Sequence, residues 1–231
     1  MIKAVSKIGG GIESYFKRIF GLMTGAVLVT ALTTFIMLIT GAFTTLITNS
    51  GGLSLTYYVI VFAGFGLSIW AQMRAFSMRP STASLLLFLY AIFMGIAVTP
   101  MILVSSGLSI IIALILAAVM FACMALFGYK TAKDLSFLGI FLFMGMIGLI
   151  LVGIVSMFFT MGSTFSSIVC LIGVLVFALF TAYDMQTLKN AYYTLGSGEQ
   201  KDQLAVLGAL HMYISFVAIF EYVLGLLNSR D

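Results

Sequence analysis

The sequence has very little charge. Of its 231 residues, 8% are Asp, Glu, Lys or Arg, whereas 62% are hydrophobic and the mean hydropathy is +1.22. Soluble globular domains carry about 25% charged residues. This composition excludes a soluble globule and predicts an integral membrane protein whose main partner is the lipid bilayer.

Residues that bind metals or form disulfides are equally scarce. The chain has two cysteines and one histidine. Cys123 and Cys170 both lie inside apolar runs, so we interpret them as small buried hydrophobic residues. The spacings of zinc and iron–sulfur sites do not occur. We therefore expect no metal site and no cofactor.

The sequence also lacks the alternating ten-residue segments that are typical of membrane β-barrels. Instead, apolar windows of about 20 residues recur along the chain. They cover residues 20–43, 55–72, 84–104, 108–128, 135–159, 166–184 and 204–227. A spanning helix satisfies its own backbone hydrogen bonds. The sequence thus predicts an all-α fold, with one seven-helix transmembrane domain over residues 1–231.

Helix breakers are few and are expected at boundaries. Residues 1–19 mix charged and apolar side chains, which indicates an interfacial lead-in, and glycines 9–11 are predicted to interrupt any helix there. The chain has two prolines. Pro80 and Pro100 are each predicted to mark the boundary of a helix.

Basic residues indicate how the chain crosses the membrane. Ten of the eleven Lys and Arg residues precede the first span or lie in every second connection, and the eleventh is Arg230. Because basic residues collect on the cytosolic side, the N-terminus is predicted to be cytosolic and the C-terminus external. This bias accounts for the net charge of +4, so no nucleic-acid partner is expected.

One acidic residue lies at the end of an apolar run. Asp184 precedes Lys189, the first water-side charge after the sixth span, by five residues, or roughly 7 Å of helix. An ionisable side chain at this depth faces the bundle interior or a wet cavity, pairs with another group and marks a functional site by default. The alternative is that Asp184 only caps the helix or snorkels to the interface.

Four other residues are candidates for the same site. The sixth and seventh spans are predicted to form an antiparallel hairpin, which brings the seventh span beside Asp184. His211 and Ser215 lie on one face of that span, and either is a candidate partner. Glu221 lies at the edge of this face, towards the external end. Arg74, after the second span, either reaches the bilayer surface or turns inward.

Several motifs resemble one known family. Residues 127–148 contain Gly-Tyr-Lys-Thr-Ala-Lys-Asp-Leu-Ser-Phe-Leu-Gly and Phe-Leu-Phe-Met-Gly-Met-Ile-Gly, and they resemble the transmembrane Bax inhibitor motif family. Residues 87–100 are similar to the third span of that family, and residues 179–189 match its Tyr-Asp-x-Gln element. Residues 209–227 take the place of its Leu-Tyr-Leu-Asp-Phe-Ile-Asn-Leu-Phe helix. The chain is identified as a bacterial-type, Bax inhibitor-1-like member.

The resemblance implies a pH-sensitive calcium leak that is gated by two aspartates, one on the sixth helix and one on the seventh. Asp184 matches the first aspartate. Ser215 stands where the second is expected, and Ala218 stands where the family has asparagine. Because a carboxylate facing a hydroxyl does not share a proton as a carboxylate pair does, we expect weaker pH dependence here.

Two functions are therefore expected from different classes. The first is a passive calcium leak through the bundle. The second is a non-transporting regulator that binds a membrane-bound quality-control protease, as some bacterial members that this chain resembles do. An enzyme is not expected, because the sequence has neither a Gly-x-Gly-Asp partner for Asp184 nor a Gly-x-Ser-x-Gly nucleophile turn. The expected location is the bacterial plasma (inner) membrane, as a multi-pass protein.

Overall fold

The structure is a computed structural model that describes residues 2–46, 53–74, 76–156, 159, 162–196 and 198–229, with side chains from residue 11 onwards. Within these residues the chain forms seven α-helices and one short 3₁₀ helix, Ala42–Leu46. The α-helices are α1 (Ile2–Ile39), α2 (Leu55–Arg74), α3 (Pro80–Val104), α4 (Gly107–Lys130), α5 (Ser136–Ser156), α6 (Ser163–Thr194) and α7 (Gly198–Asn228). All seven are long and apolar enough to cross a membrane, which confirms the predicted fold class.

The α6 and α7 helices are longer than predicted. The sixth span was expected to end at Asp184 and the seventh to begin at residue 204. Instead, α6 continues to Thr194 and α7 begins at Gly198. Residues 185–194 contain neither glycine nor proline, so nothing in the local sequence ends the helix earlier. Asp184 therefore lies ten residues before the end of α6 and is not a helix cap.

Two predicted helix breaks are wrong. Glycines 9–11 lie inside α1, because a glycine costs a helix only about 1 kcal/mol. Gly11 has a packing role, since a Cβ there would lie 2.6 Å from the Tyr192 hydroxyl. Pro80 begins α3 as predicted, but Pro100 lies inside it. Transmembrane helices tolerate proline where hydroxyl groups or neighbouring helices satisfy the freed backbone.

The chain divides into two compact units. The first comprises Met1–Val104 and Ala191–Tyr213, and the second comprises Ser105–Asn190 and Ile214–Asp231. The first half of α7 thus belongs to the first unit and its second half to the second unit. The single-domain organisation stays a prediction.

In the first unit, hydroxyl groups join α1 to α3 and α7. The Thr30 hydroxyl lies 3.0 Å from the Ala91 carbonyl oxygen and 2.5 Å from the Tyr213 hydroxyl, and the Thr34 hydroxyl donates to the Gly95 carbonyl. The Tyr213 side chain is fully buried. Because a buried hydroxyl without a partner costs about 1–3 kcal/mol, these bonds select one packing of the three helices.

The first half of α1 packs against the end of α6 and the start of α7, also within the first unit. The Tyr15 and Tyr192 rings lie 5.0 Å apart, and the Lys201 ammonium lies 4.3 Å from the Tyr192 ring centre. Arg18 forms an ion pair with Asp202 at the surface. The lead-in segment is thus part of the folded structure from Gly11 onwards.

In the second unit, glycines bring α6 close to its neighbours. Gly128 on α4 leaves no room for a side chain because the Ala182 backbone of α6 lies against it. A Cβ at Gly139 on α5 would lie 2.9 Å from the Tyr183 hydroxyl, and one at Gly145 would lie 3.2 Å from a Val176 methyl. At these two glycines, α5 therefore lies close against α6.

The prediction that both cysteines are buried in the protein is wrong. Both are free thiols, with Cys123 exposed on α4 and Cys170 half-buried on α6. An apolar residue on a spanning helix needs no protein neighbour, because lipid tails are as apolar as a protein interior. Hydropathy therefore places a residue in the membrane but does not distinguish the lipid-facing surface from the core.

Candidate functional site

The second half of α6 carries the most buried polar groups of the second unit. Thr181 is fully buried, Asp184 is 9% exposed and Gln186 is 8% exposed. The neighbouring residues Ala182, Met185 and Leu188 are also buried. Placing an ionised aspartate at the centre of a spanning helix costs about 2.5–3.5 kcal/mol. Burial in protein therefore makes Asp184 an interior group and excludes the interpretation that it snorkels to the surface.

Asp184 lies on the face of α6 that packs against α7. Gly173 and Phe177 precede Asp184 on that face, and both contact Tyr222 of α7. The Phe177 ring stacks on the Tyr222 ring with centres 5.9 Å apart, and a Cβ at Gly173 would lie 2.6 Å from the same ring. Asp184 follows Phe177 by seven residues, which is close to two full helical turns. Its side chain therefore leaves α6 on the side of α7.

The same register predicts that Ser215 lies opposite Asp184. Consecutive helices joined by a short connection run antiparallel, and α6 and α7 are separated by the three residues 195–197. Moving two turns forward from Phe177 on α6 therefore corresponds to moving two turns back from Tyr222 on α7. That position is Ser215, which is 3% exposed. A serine hydroxyl both donates and accepts, so it can donate to the carboxylate.

The site does not have the composition of a calcium cage. Calcium takes six to eight oxygen ligands in a dedicated site. Among the described residues, no three His, Cys, Asp or Glu side chains come together as a metal-binding group. Glu221 lies six residues after Ser215 on α7, or roughly 9 Å along the helix, and is half-buried.

The other two candidate residues belong to the first unit. His211 Nε2 lies 3.1 Å from the Oε1 atom of Gln72 on α2, and both side chains are half-buried. An amide oxygen only accepts, so this contact is a hydrogen bond in the tautomer that carries the proton on Nε2. Arg74 is exposed at the last residue of α2, which agrees with the bilayer-surface alternative. The role of Gln72 is not evident from the sequence, since an uncharged amide near a helix end carries no special signal.

On its other side, α6 holds the connection between α4 and α5. The Gln186 side chain accepts the Leu135 N–H at 2.8 Å and donates to the Lys133 carbonyl at 2.8 Å. One turn later, the Lys189 ammonium donates to the Tyr129 carbonyl at 2.8 Å and lies 5.1 Å from the Tyr129 ring centre. We call these contacts the α6 clamp. The Tyr-Asp-x-Gln pattern in the sequence does not by itself indicate this role for its glutamine.

Asp134 lies in the same connection and caps the start of α5. Its carboxylate accepts the Ser136 N–H at 2.9 Å and so satisfies a backbone donor at the first residue of the helix. Hydrogen bonds from the Ser136 side chain and backbone hold the pKa of the Asp134 carboxyl below its usual value. The carboxylate is therefore ionised at neutral pH, and its charge favours the N-terminal end of α5.

Comparison with known proteins decides the family. Residues 12–231 match the family model described as "Inhibitor of apoptosis-promoting Bax1". The chain belongs to the Bax inhibitor-1 family. The match includes both α6, with Asp184, and α7, with Ser215.

Several bacterial proteins are similar to this chain. The chain is 33% identical to an uncharacterized protein of Rickettsia prowazekii over 172 residues, which cover 74% of this chain and 72% of the relative. It is 35% identical to an uncharacterized protein of Caulobacter vibrioides over 175 residues, 75% of this chain and 70% of the relative. It is 28% identical to the inner membrane protein YbhL of Escherichia coli over 222 residues, 95% of this chain and 93% of the relative. This protein is a multi-pass integral membrane protein of the Bax inhibitor-1 family.

Proposed function

We propose that the protein is a passive, gated calcium leak, with the contact between Asp184 of α6 and Ser215 of α7 as its gate. The observation that carries the proposal is the buried carboxylate of Asp184, which is 9% exposed and lies on the α7-facing side of α6. A buried charge in a spanning helix marks an ion or proton pathway in many membrane proteins. The family resemblance implies a calcium leak, so we take calcium to be the ion.

The chemistry of the pair predicts how the leak behaves. A single carboxylate attracts a cation without holding it as a full oxygen cage would. Ser215 can donate a hydrogen bond to Asp184 but cannot repel it. The native contact therefore favours one packing of α6 against α7, and opening requires the loss of that hydrogen bond.

We further propose that the protein resides in a bacterial plasma membrane and acts without catalysis. Two things support the location: the similar Escherichia coli protein is named an inner membrane protein, and the basic residues predict a cytosolic N-terminus. Glu221 on the second half of α7 is the candidate for the external end of the pathway.

Calcium flux into liposomes tests the proposal. Purified protein is reconstituted into vesicles that contain a calcium-sensitive dye, and influx is compared with that of empty vesicles. Asp184→Asn removes the charge with little change in shape and should lower the influx about tenfold, because a charge in a confined path raises the local concentration of a cation. Glu13→Gln, which removes an exposed acid from α1, is the matched control and should leave the influx unchanged.

A second function is favoured by the serine itself. Ser215 replaces the second gating aspartate, so a member that has lost transport and acts only as a regulator is the alternative. Such a protein binds a membrane-bound quality-control protease, and its binding should not change in Asp184→Asn. Influx no higher than in empty vesicles, together with copurification of a membrane protease with both forms, would replace the leak with this regulator.

A further inference from the structure

The two sides of α6 contact different elements of the second unit. Successive residues of an α-helix are separated by about 100°, so Gln186 lies about 200° from Asp184. Ala182, against Gly128, and Lys189, at Tyr129, share the side of Gln186. The α6 helix is thus held by α4 and the α4–α5 connection on the side opposite to the one that carries Asp184.

We propose that Gln186 is a positioning residue: by clamping the α4–α5 connection, it fixes the rotation of α6 that directs Asp184 towards Ser215. This inference deepens the proposed function, and it rests on that function for its consequence for calcium. A rotation of α6 about its own axis that turns Asp184 away from α7 also carries Gln186 away from Leu135 and Lys133.

Only an amide makes both of the hydrogen bonds that Gln186 contributes to the α6 clamp. The Gln186 oxygen accepts from the Leu135 N–H, while its NH₂ group donates to the Lys133 carbonyl. A carboxylate keeps the first bond and loses the second, and an apolar side chain loses both. Leu135 and Gln186 are buried, at 6% and 8% exposure, so water is a poor substitute for either partner.

Disulfide crosslinking tests whether position 184 faces position 215, and it does not require ion flux. Asp184→Cys and Ser215→Cys are combined in a chain that also carries Cys123→Ala and Cys170→Ala, and oxidation is followed in membranes. A disulfide forms only when the two Cα atoms lie within about 7 Å of each other. We expect a high yield with Gln186 present.

Substitutions at the clamp then test the proposal. Adding Gln186→Leu should lower the crosslinking yield about tenfold, as expected when two buried hydrogen bonds are lost. Gln186→Glu should give an intermediate yield. Gln200→Leu makes the same change at an exposed glutamine of α7 and should leave the yield unchanged. If Gln186→Leu does not fold, as judged by gel filtration, Gln186→Glu decides alone.

Two results would overturn the inference. One is an unchanged yield in a folded Gln186 variant, which would make the clamp irrelevant to the direction of Asp184. The other is the absence of a crosslink with Gln186 present, which would mean that Asp184 does not face Ser215. Calcium influx is measured on the Gln186 variants with Asp184 and Ser215 intact. A wild-type protein without influx would refute the proposed leak, while the crosslinking result would still decide the role of Gln186.

Discussion

At Gly128, α4 approaches α6 so closely that the backbone of Ala182 occupies the space of a side chain. This contact lies about one turn from the clamp formed by Gln186, since Ala182 precedes Gln186 by four residues. A backbone carbonyl cannot move aside as a flexible side chain can. Adding a single methyl group at Gly128 should therefore disturb the packing of α4 against α6.

We predict that Gly128→Ala lowers the free energy of unfolding by about 2–3 kcal/mol, the upper part of the range for overpacking. Unfolding in detergent micelles with increasing dodecyl sulfate would measure it. Gly148→Ala is the matched control, because nothing lies within 4 Å of a Cβ built there. Equal stability of the two variants would show that α4 and α6 are not in contact at this point.

Single residues differed in how well the sequence revealed them. Asp184 was identified because a charge inside an apolar run is costly and therefore conspicuous. Gln186 and Gln72 were missed because an uncharged amide is compatible with both a surface and a buried position. The four glycines of α5 looked alike, yet Gly139 and Gly145 face α6 whereas Gly148 has open space. Which face of a spanning helix meets protein rather than lipid depends on its neighbours, and hydropathy does not encode it.

At the scale of the elements, apolar runs predicted every spanning helix, because about 20 apolar residues are needed to cross the bilayer. The helix ends were harder to predict. The α6 helix extends into polar sequence up to Thr194, since polar residues such as Gln186 and Lys189 are good helix formers. Pro100 lies inside α3. The rule that a helix ends before a proline describes soluble helices and does not hold here.

The start of α4 offers a test of one element. The Ser106 hydroxyl accepts the Ser109 N–H at 3.0 Å and caps the helix. Ser106→Ala should therefore lower the free energy of unfolding by about 1 kcal/mol. Ser156→Ala removes a hydroxyl that only donates within its own helix and should have a smaller effect. A loss in Ser106→Ala no greater than in Ser156→Ala would contradict the capping role.

At the scale of the whole molecule, the orientation in the membrane is a prediction from charge alone. A reporter at residue 1, or inserted between Leu195 and Gly196, should lie in the cytosol, and one after Asp231 should lie outside, because basic residues remain on the cytosolic side. The short connection before α7 is chosen for the internal reporter because residues 198–203 are helical. A cytosolic reporter after Asp231 would contradict seven complete crossings.

The central claim is that one carboxylate facing a hydroxyl gates a calcium leak, and calcium influx as a function of pH tests it most directly. The native protein should conduct calcium with less than about a twofold change between about pH 6 and 8, because Asp184 and Ser215 hold no shared proton. Ser215→Asp creates a carboxylate pair that closes when it shares a proton and opens when both groups are ionised. Its influx should therefore rise about tenfold with pH over that range. His211→Gln is measured in parallel, because an imidazole titrates in the same range. Strong pH gating of the native protein that persists in His211→Gln would contradict the account.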